Sequence, residues 1–173
     1  MSHEAIVNAT IRPEQPVDQK AIYDLTRRAF EPMPFAGGNE QDLINALREA
    51  GALVISLVAE QQGQVVGHIA FSPAFPSDRK AGWYALGPVA VEPSLQKQGI
   101  GRQLIAEGIT LLEARQAQGC VLVGNIDYYK KFGFKPFPHL APQGEPADNY
   151  MILPLHIRAP DVVVGFHPLF HDI

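Results

Sequence analysis

The stretch LGPVAVEPSLQKQGIGRQLI, from Leu86 to Ile105, carries a strand, a turn and the opening of a helix in twenty residues. The apolar Val89-Ala90-Val91 ends a strand that begins at Trp83. Gly87-Pro88 interrupts that strand, and because proline cannot donate to a ladder, a bulge or splayed edge is expected there. Gln96-Lys97-Gln98-Gly99-Ile100-Gly101 then opens a helix carrying Leu104, Ile105, Leu111 and Leu112, with its end expected near Gly119. The first amides of a helix have no intrahelical partner and its dipole adds positive charge, so this turn favours an anion. Gly99 and Gly101 let a pyrophosphate approach the backbone, and Lys97 and Arg102 flank it with charge. A plain strand-to-helix turn is the alternative. No Gly-Lys-Ser/Thr follows, and the glycine spacing of a dinucleotide fold is absent.

Outward from this core, Cys120 to Gly124 is short, apolar and β-branched, a buried strand that completes a parallel crossover. Upstream, Leu53–Glu60 and Val65–Ser72 flank Gly63 and read as an antiparallel hairpin. Ala9–Arg12 reads as a strand closed by Pro13. Asp18 is placed as the N-cap of an amphipathic helix (Ile22, Leu25, Ala29, Phe30) that should end at Glu31, before Pro32. A Pro/Gly loop, Glu31–Asn39, precedes a second helix with Leu43, Ile44 and Leu47 on one face. Downstream, DYYKKF makes one or two helical turns, GFKPF begins a strand, Pro138–Asn149 is a long polar loop, and NYMILPLHI and VVVGF are the last strands. No repeat or composition break divides residues 1–173, so a single domain is expected.

Composition excludes several classes. Of 173 residues, 46% are hydrophobic, enough for a core, and the 18 acidic against 14 basic residues leave a net charge of −4. That balance gives no general drive toward nucleic acid or anionic membranes. One cysteine, Cys120, makes neither an internal disulfide nor a cysteine-rich zinc site. Secretion-signal features and a membrane-length apolar run of ~18 residues are both missing, so a cytoplasmic protein is expected.

The pattern Q-x-x-G-x-G at Gln96–Gly101, after the V-A-V strand and some thirty residues before YKKFGF (Tyr129–Phe134), resembles the GNAT superfamily of N-acetyltransferases. VVGHIAFSP, CVLVGNIDYYKKFGF and the terminal VVVGFHPLF look like its YhbS-like branch. The resemblance implies an α/β fold with a mixed, twisted central sheet flanked by helices, and acetyl-CoA as cosubstrate. It implies that the backbone of Val89, Ala90 and Val91 pairs with the pantetheine arm, and that amides of Lys97, Gln98, Gly99, Ile100, Gly101 and Arg102 hold the pyrophosphate. Asn125 is a candidate pantetheine or thiol-side contact, or else a strand-end residue making a local turn bond. Tyr129 occupies the family's tyrosine position and is the candidate general acid, with aromatic packing as the alternative. Tyr128 is assigned to packing.

The resemblance is silent on the acceptor: a small amine, an amino acid and a protein amino group all stay open, as does a longer acyl chain. Glu40, His68 or a water chain are candidates for the base, with a satisfied buried histidine as the other reading of His68. Glu92 terminates its strand. His167 and His171 lack a third ligand and Pro168 argues against a helix there, so no metal is expected. Cys120 has no His-Asp context for a nucleophile. Lys130-Lys131 is a solvated face or an attraction for nucleotide phosphates. A CoA-binding sensor module without efficient transfer is the competing function. The apolar tail suits either a homodimer edge or a cap on its own sheet.

Overall fold

In the computed structural model residues 9–33 and 36–172 are described, so the start of the chain and Pro34-Phe35 within the expected Glu31–Asn39 loop lie outside the described residues. The elements run β1 (Thr10–Pro13), α1 (Gln19–Phe30), α2 (Glu40–Glu49), β2 (Ile55–Gln61), β3 (Gln64–Pro73), β4 (Phe75–Pro76) and β5 (Trp83–Val91). There follow α3 (Ile100–Ala114), β6 (Gly119–Val123), α4 (Ile126–Tyr129), β7 (Lys135–Pro136), β8 (Tyr150–Pro154), β9 (Val164–Gly165) and α5 (Leu169–Asp172).

Seven strands form one mixed sheet in the order β1-β2-β3-β5-β6-β8-β7, and β4 pairs with β9 in a separate ribbon. The hairpin β2–β3 turns on Gln62 and Gly63, both at positive φ (52° and 76°), as a tight right-twisted hairpin requires. Only β5 and β6 are parallel, joined through α3. Their pairing is brief: Trp83–Ala85 meet Gly119–Val121 and the ladder then stops. Beyond it β5 carries Gly87 and Pro88 opposite the single residue Ala70 of β3, the expected bulge. β6 meanwhile continues with β8, where Leu122 and Val123 oppose Met151 and Tyr150. The two parallel strands therefore part like a V.

Pleat alternation sorts the layers. Leu57, Ile69, Phe71, Cys120, Leu122 and Met151 face α3, whose Ile100, Leu104, Ile105 and Leu112 are buried against them. Gly67 and Gly108 allow this close approach: a Cβ on Gly108 would lie 2.3 Å from the Phe71 ring. On the other face Ile22, Ile44 and Val58 join α1 and α2 to the sheet, and Ala90 packs on Leu25 and Ala29.

Several local expectations are corrected. Asp18 does not cap α1 with its side chain; its carboxylate accepts from Gln15 N (2.7 Å) and Arg12 (2.8 Å), tying the preceding turn to β1. α3 ends at Ala114 rather than near Gly119, because Gln116 itself takes the left-handed conformation (φ 59°) that stops a helix. GFKPF supplies a strand of only two residues, and of VVVGF only Val164-Gly165 pairs, with β4. Pro168 immediately precedes α5 instead of preventing it, since a helix start has no use for the missing N–H. The tail caps its own chain: Tyr150 Oη donates to Val164 O at 2.8 Å, and Leu169 and Phe170 pack near Leu43 and Leu47.

Of the two readings of His68, the structure carries the buried one. Gly67 and Ile69 face α3, so His68 faces the opposite layer, where it is fully buried rather than lining a cleft. Its Nε2 lies 2.8 Å from Ser56 Oγ, which donates to Glu14, and Glu14 is gripped by Arg48 at 2.7 and 3.0 Å. With the serine proton committed to Glu14, Nε2–H donates to Ser56, and Nδ1 has no partner. Burial is the main reason the imidazole titrates near 4 instead of 6.5, partly opposed by the Glu14 charge. Glu14, which burial alone would raise, is held below its ordinary value by Arg48 and Ser56.

A base depressed by folding stabilises the fold fully above its unfolded pKa and ceases to do so as pH falls through the folded one. His68 is therefore expected to withdraw on the order of 3 kcal/mol between pH 6.5 and 4. Urea unfolding across that window should show the loss in the wild type and a flatter profile in His68→Gln; equal slopes would remove the assignment.

Candidate active site

Where β5 and β6 part, a cleft of about 890 Å3 opens. One wall is Leu86, Gly87, Pro88 and Val89 of β5; the other is Leu122, Val123, Gly124 and Asn125 at the end of β6. Glu92 N donates to Val66 O at 2.8 Å, which fixes the alternation of this antiparallel pair. Ala90 accordingly turns its amide and carbonyl toward β3, while Val89 and Val91 turn theirs toward the gap. Gln96 Nε2 reaches Val91 O at 3.2 Å from that side. Apart from the Val91 carbonyl, which Gln96 occupies, the free edge of β5 thus offers its groups to an extended ligand.

A second depression of about 370 Å3 continues the cleft past the start of α3, lined by Val91, Gln96, Lys97, Gly99, Gly101 and Arg102. Tyr128 and Lys131 close its far side. Lys97 and Gly99 both adopt positive φ (66° and 97°), wrapping the backbone round the mouth. The first intrahelical bond is Gln103 N to Gly99 O, at 3.0 Å. The amides of Ile100, Gly101 and Arg102 therefore remain for a ligand. With Lys97, Arg102 and Lys131 around them, they form a cradle suited to phosphates.

Tyr129 lines the larger cleft. Its ring is fixed by edge contacts with Tyr128 (centroids 5.0 Å) and Phe134 (5.9 Å), and it sits where Gly124 leaves room. Its hydroxyl makes no hydrogen bond within the described residues. Burial pushes the phenol up to about 12, so the proton stays on at neutral pH. Tyr128 is not mere packing: it lines both depressions, and its hydroxyl lies 3.3 Å from where a Cβ on Gly101 would stand. Asn125 makes the local bond anticipated as its alternative: Oδ1 accepts from Tyr128 N at 2.9 Å and caps α4, and the residue lines the cleft.

The opposite end of the cleft is built by distant segments. Phe30 ends α1 and Met33 follows it, Glu40 and Leu43 belong to α2, and Phe166, Phe170 and His171 come from the tail. Glu145 pairs with His171 at 2.9 Å. Glu40 Oε2 accepts from Gly37 N at 2.9 Å, whereas buried Oε1 has no partner.

The chain matches the acetyltransferase (GNAT) family model over residues 20–134. It belongs to the GNAT family of N-acetyltransferases. An Escherichia coli K12 relative, the N-acetyltransferase YhbS, is 37% identical over 130 residues, covering 75% of each chain. The fold superposes on a GNAT family acetyltransferase from Brucella melitensis in complex with acetyl-CoA, with TM-score 0.84, 41% identity, and 94% and 98% of the two chains covered. E. coli YhbS in complex with CoA superposes with TM-score 0.83 at 29% identity over 98% and 96% of the chains.

Within this GNAT fold, Val89, Lys97, Asn125 and Tyr129 converge on the larger cleft and Val91, Lys97, Gly99, Gly101 and Arg102 on the cradle. The Gln98 side chain is exposed outside both, and those of Ala90 and Ile100 are buried in the core. Glu40 reaches the cleft and His68 does not. Cys120 is fully buried, and burial raises its thiol far above its ordinary range. Glu92 pairs with Arg28 of α1 at 2.7 Å. His167 Nδ1 accepts from Leu169 N, and among the described residues no cluster could hold a metal. The tail residues at the mouth escaped sequence reading, although Pro168 at a helix start was a usable sign. No helix among the described residues is long and apolar enough to cross a membrane.

A Cβ on Gly124 would lie 2.7 Å from the Tyr129 ring. Gly124→Ala is expected to cost about 1–3 kcal/mol in urea unfolding, as overpacking does, and to displace that ring in a crystal structure. An unmoved ring at unchanged stability would show that the contact does not set its position.

Proposed function

We propose that this GNAT protein moves acetyl from acetyl-CoA to a primary amine by direct attack. The observation that carries the reading is the position of Tyr129: a protonated hydroxyl without a partner, at the point where the unpaired β5 edge meets the opening of the sheet. The acetyl-CoA and CoA held by the Brucella melitensis and E. coli proteins support the cosubstrate.

The residues fit such a ligand. Val89 and Val91 offer backbone groups to an amide-bearing arm as an added strand would, with Ala90 anchoring that edge to β3. The cradle from Lys97 through Gln98, Gly99, Ile100 and Gly101 to Arg102 suits a pyrophosphate, and Asn125, which lines the cleft, serves as the thiol-side contact. Acetyl-CoA, when bound, supplies an acetyl thioester. The neutral amine nitrogen forms the new bond to the carbonyl carbon as the carbon–sulfur bond breaks; Tyr129 Oη gives its proton to the departing sulfur, and the surplus proton of the nitrogen leaves through water, from which the tyrosinate is reprotonated. Burial that raises the phenol acts equally on a thiolate in the same cleft, so the two stay matched.

Calorimetric titration with acetyl-CoA and CoA, followed by thiol release over an amine panel, tests the reading. Micromolar binding with release supports it, binding without release favours a CoA-binding module, and no binding overturns it. Tyr129→Phe is expected to lower kcat about 100-fold with CoA affinity kept. With the phenol near 12, no alkaline fall in rate is expected below about pH 10. Arg102→Ala should weaken CoA at least tenfold while leaving a pantetheine thioester unaffected, about 1.4 kcal/mol. An equal effect on both would remove Arg102 from the phosphates.

A further inference from the structure

The half of the cleft opposite the cradle has a chemistry of its own. Its walls are apolar and aromatic: Phe30 and Met33 on one side, Phe166 and Phe170 on the other, the last two with ring centroids 5.6 Å apart. These walls are built in. Phe166 packs edge-on against buried Tyr150 at 6.3 Å, and the Tyr150 hydroxyl bonds Val164 O two residues earlier in the tail. The ionisable side chains lining this half are Glu40, Glu145 and His171, and His171 is engaged with Glu145 at 2.9 Å. Lys97, the only lysine or arginine among the described residues lining the cleft, belongs to the cradle.

Glu40 is the decisive group. One carboxylate oxygen is fixed by the Gly37 amide; the other is buried without a partner. A buried carboxylate oxygen left unpaired costs free energy that a ligand donor would restore. The donor that best matches a carboxylate in apolar surroundings is an ammonium group. A carboxylate on the same ligand would meet Glu40 and Glu145 in a low-dielectric cleft and be repelled.

We infer that the acceptor is a monoamine on an apolar, aromatic-sized body with no carboxylate beside the nitrogen, received by the Glu40 carboxylate, whose unpartnered Oε1 turns out of its buried position to meet it. This rests on the acetyl-transfer reading above. Glu40 binds and orients the incoming nitrogen; the aromatic walls take the body. Free amino acids are disfavoured by charge, and short alkylamines by the empty walls they leave.

The test uses phenethylamine, phenylalanine, phenylalaninamide and ethylamine, with acetyl-CoA and the full chain. Phenethylamine should exceed phenylalanine and ethylamine at least tenfold in kcat/KM. Phenylalaninamide, with the body kept and the negative charge removed, should recover most of that difference. Glu40→Gln retains an acceptor for Gly37 N but turns an amide toward the cleft. It should raise KM for phenethylamine tenfold or more, with kcat and CoA affinity little changed. Binding of phenethylamine to the CoA-saturated protein, by calorimetry, should weaken in parallel. Preference for phenylalanine, or an unchanged KM in Glu40→Gln, overturns the inference while acetyl transfer stands. Binding of CoA with neither binding nor acetylation of phenethylamine also overturns it. Failure to bind CoA at all defeats the acetyl-transfer reading instead.

Discussion

The site exists because two neighbouring parallel strands stop pairing after three residues. β5 and β6 share a ladder only from Trp83 to Ala85. Past that point Gly87 and Pro88 occupy the space opposite one residue of β3, and proline has no N–H to offer. An interior strand left with an unpaired edge would ordinarily be a liability in the middle of a sheet. Here the edge at Val89 and Val91 becomes the floor of a cleft. The candidate site is arranged around that parting: the cradle continues one strand, Asn125 and Tyr129 continue the other, and α2 and the tail close the far end.

Charge is divided along the same axis. Lys97, Arg102 and Lys131 gather around the start of α3, while Glu40 and Glu145 stand at the opposite end. Between them lies a stretch of apolar side chains and a tyrosine that burial keeps protonated. A ligand carrying phosphates and a ligand carrying a positive nitrogen can thus be held at the two ends of one cleft without competing for it. The buried network of Arg48, Glu14, Ser56 and His68 takes no part in this; it ties the base of α2 to the sheet.

What could be read in the sequence was local. The strand Trp83–Val91, its break at Gly87-Pro88 and the glycines opening α3 are set by backbone chemistry within a few residues, and they appear where that chemistry demands. Asn125 likewise declared its turn bond. His68 stayed open between cleft and core because a single polar residue in an apolar strand does not say which face it takes; the contact of Gly67 with α3 decides that, and it is tertiary. The early end of α3 depended on Gln116 accepting a conformation usually left to glycine. The far wall of the cleft was illegible for a related reason. Phe30, Glu40, Glu145 and Phe170 are brought together by packing across the whole chain, and no spacing in the sequence announces it.

That difference in sequence range also orders events during synthesis. The cradle and the tyrosine come from one continuous run, Val89 to Lys131, resting on strands already made. The far wall needs Phe166 and Phe170, and these dock only once β9 has found β4 and Tyr150 has bonded Val164. The emerging chain therefore completes the phosphate half some forty residues before the other half has walls.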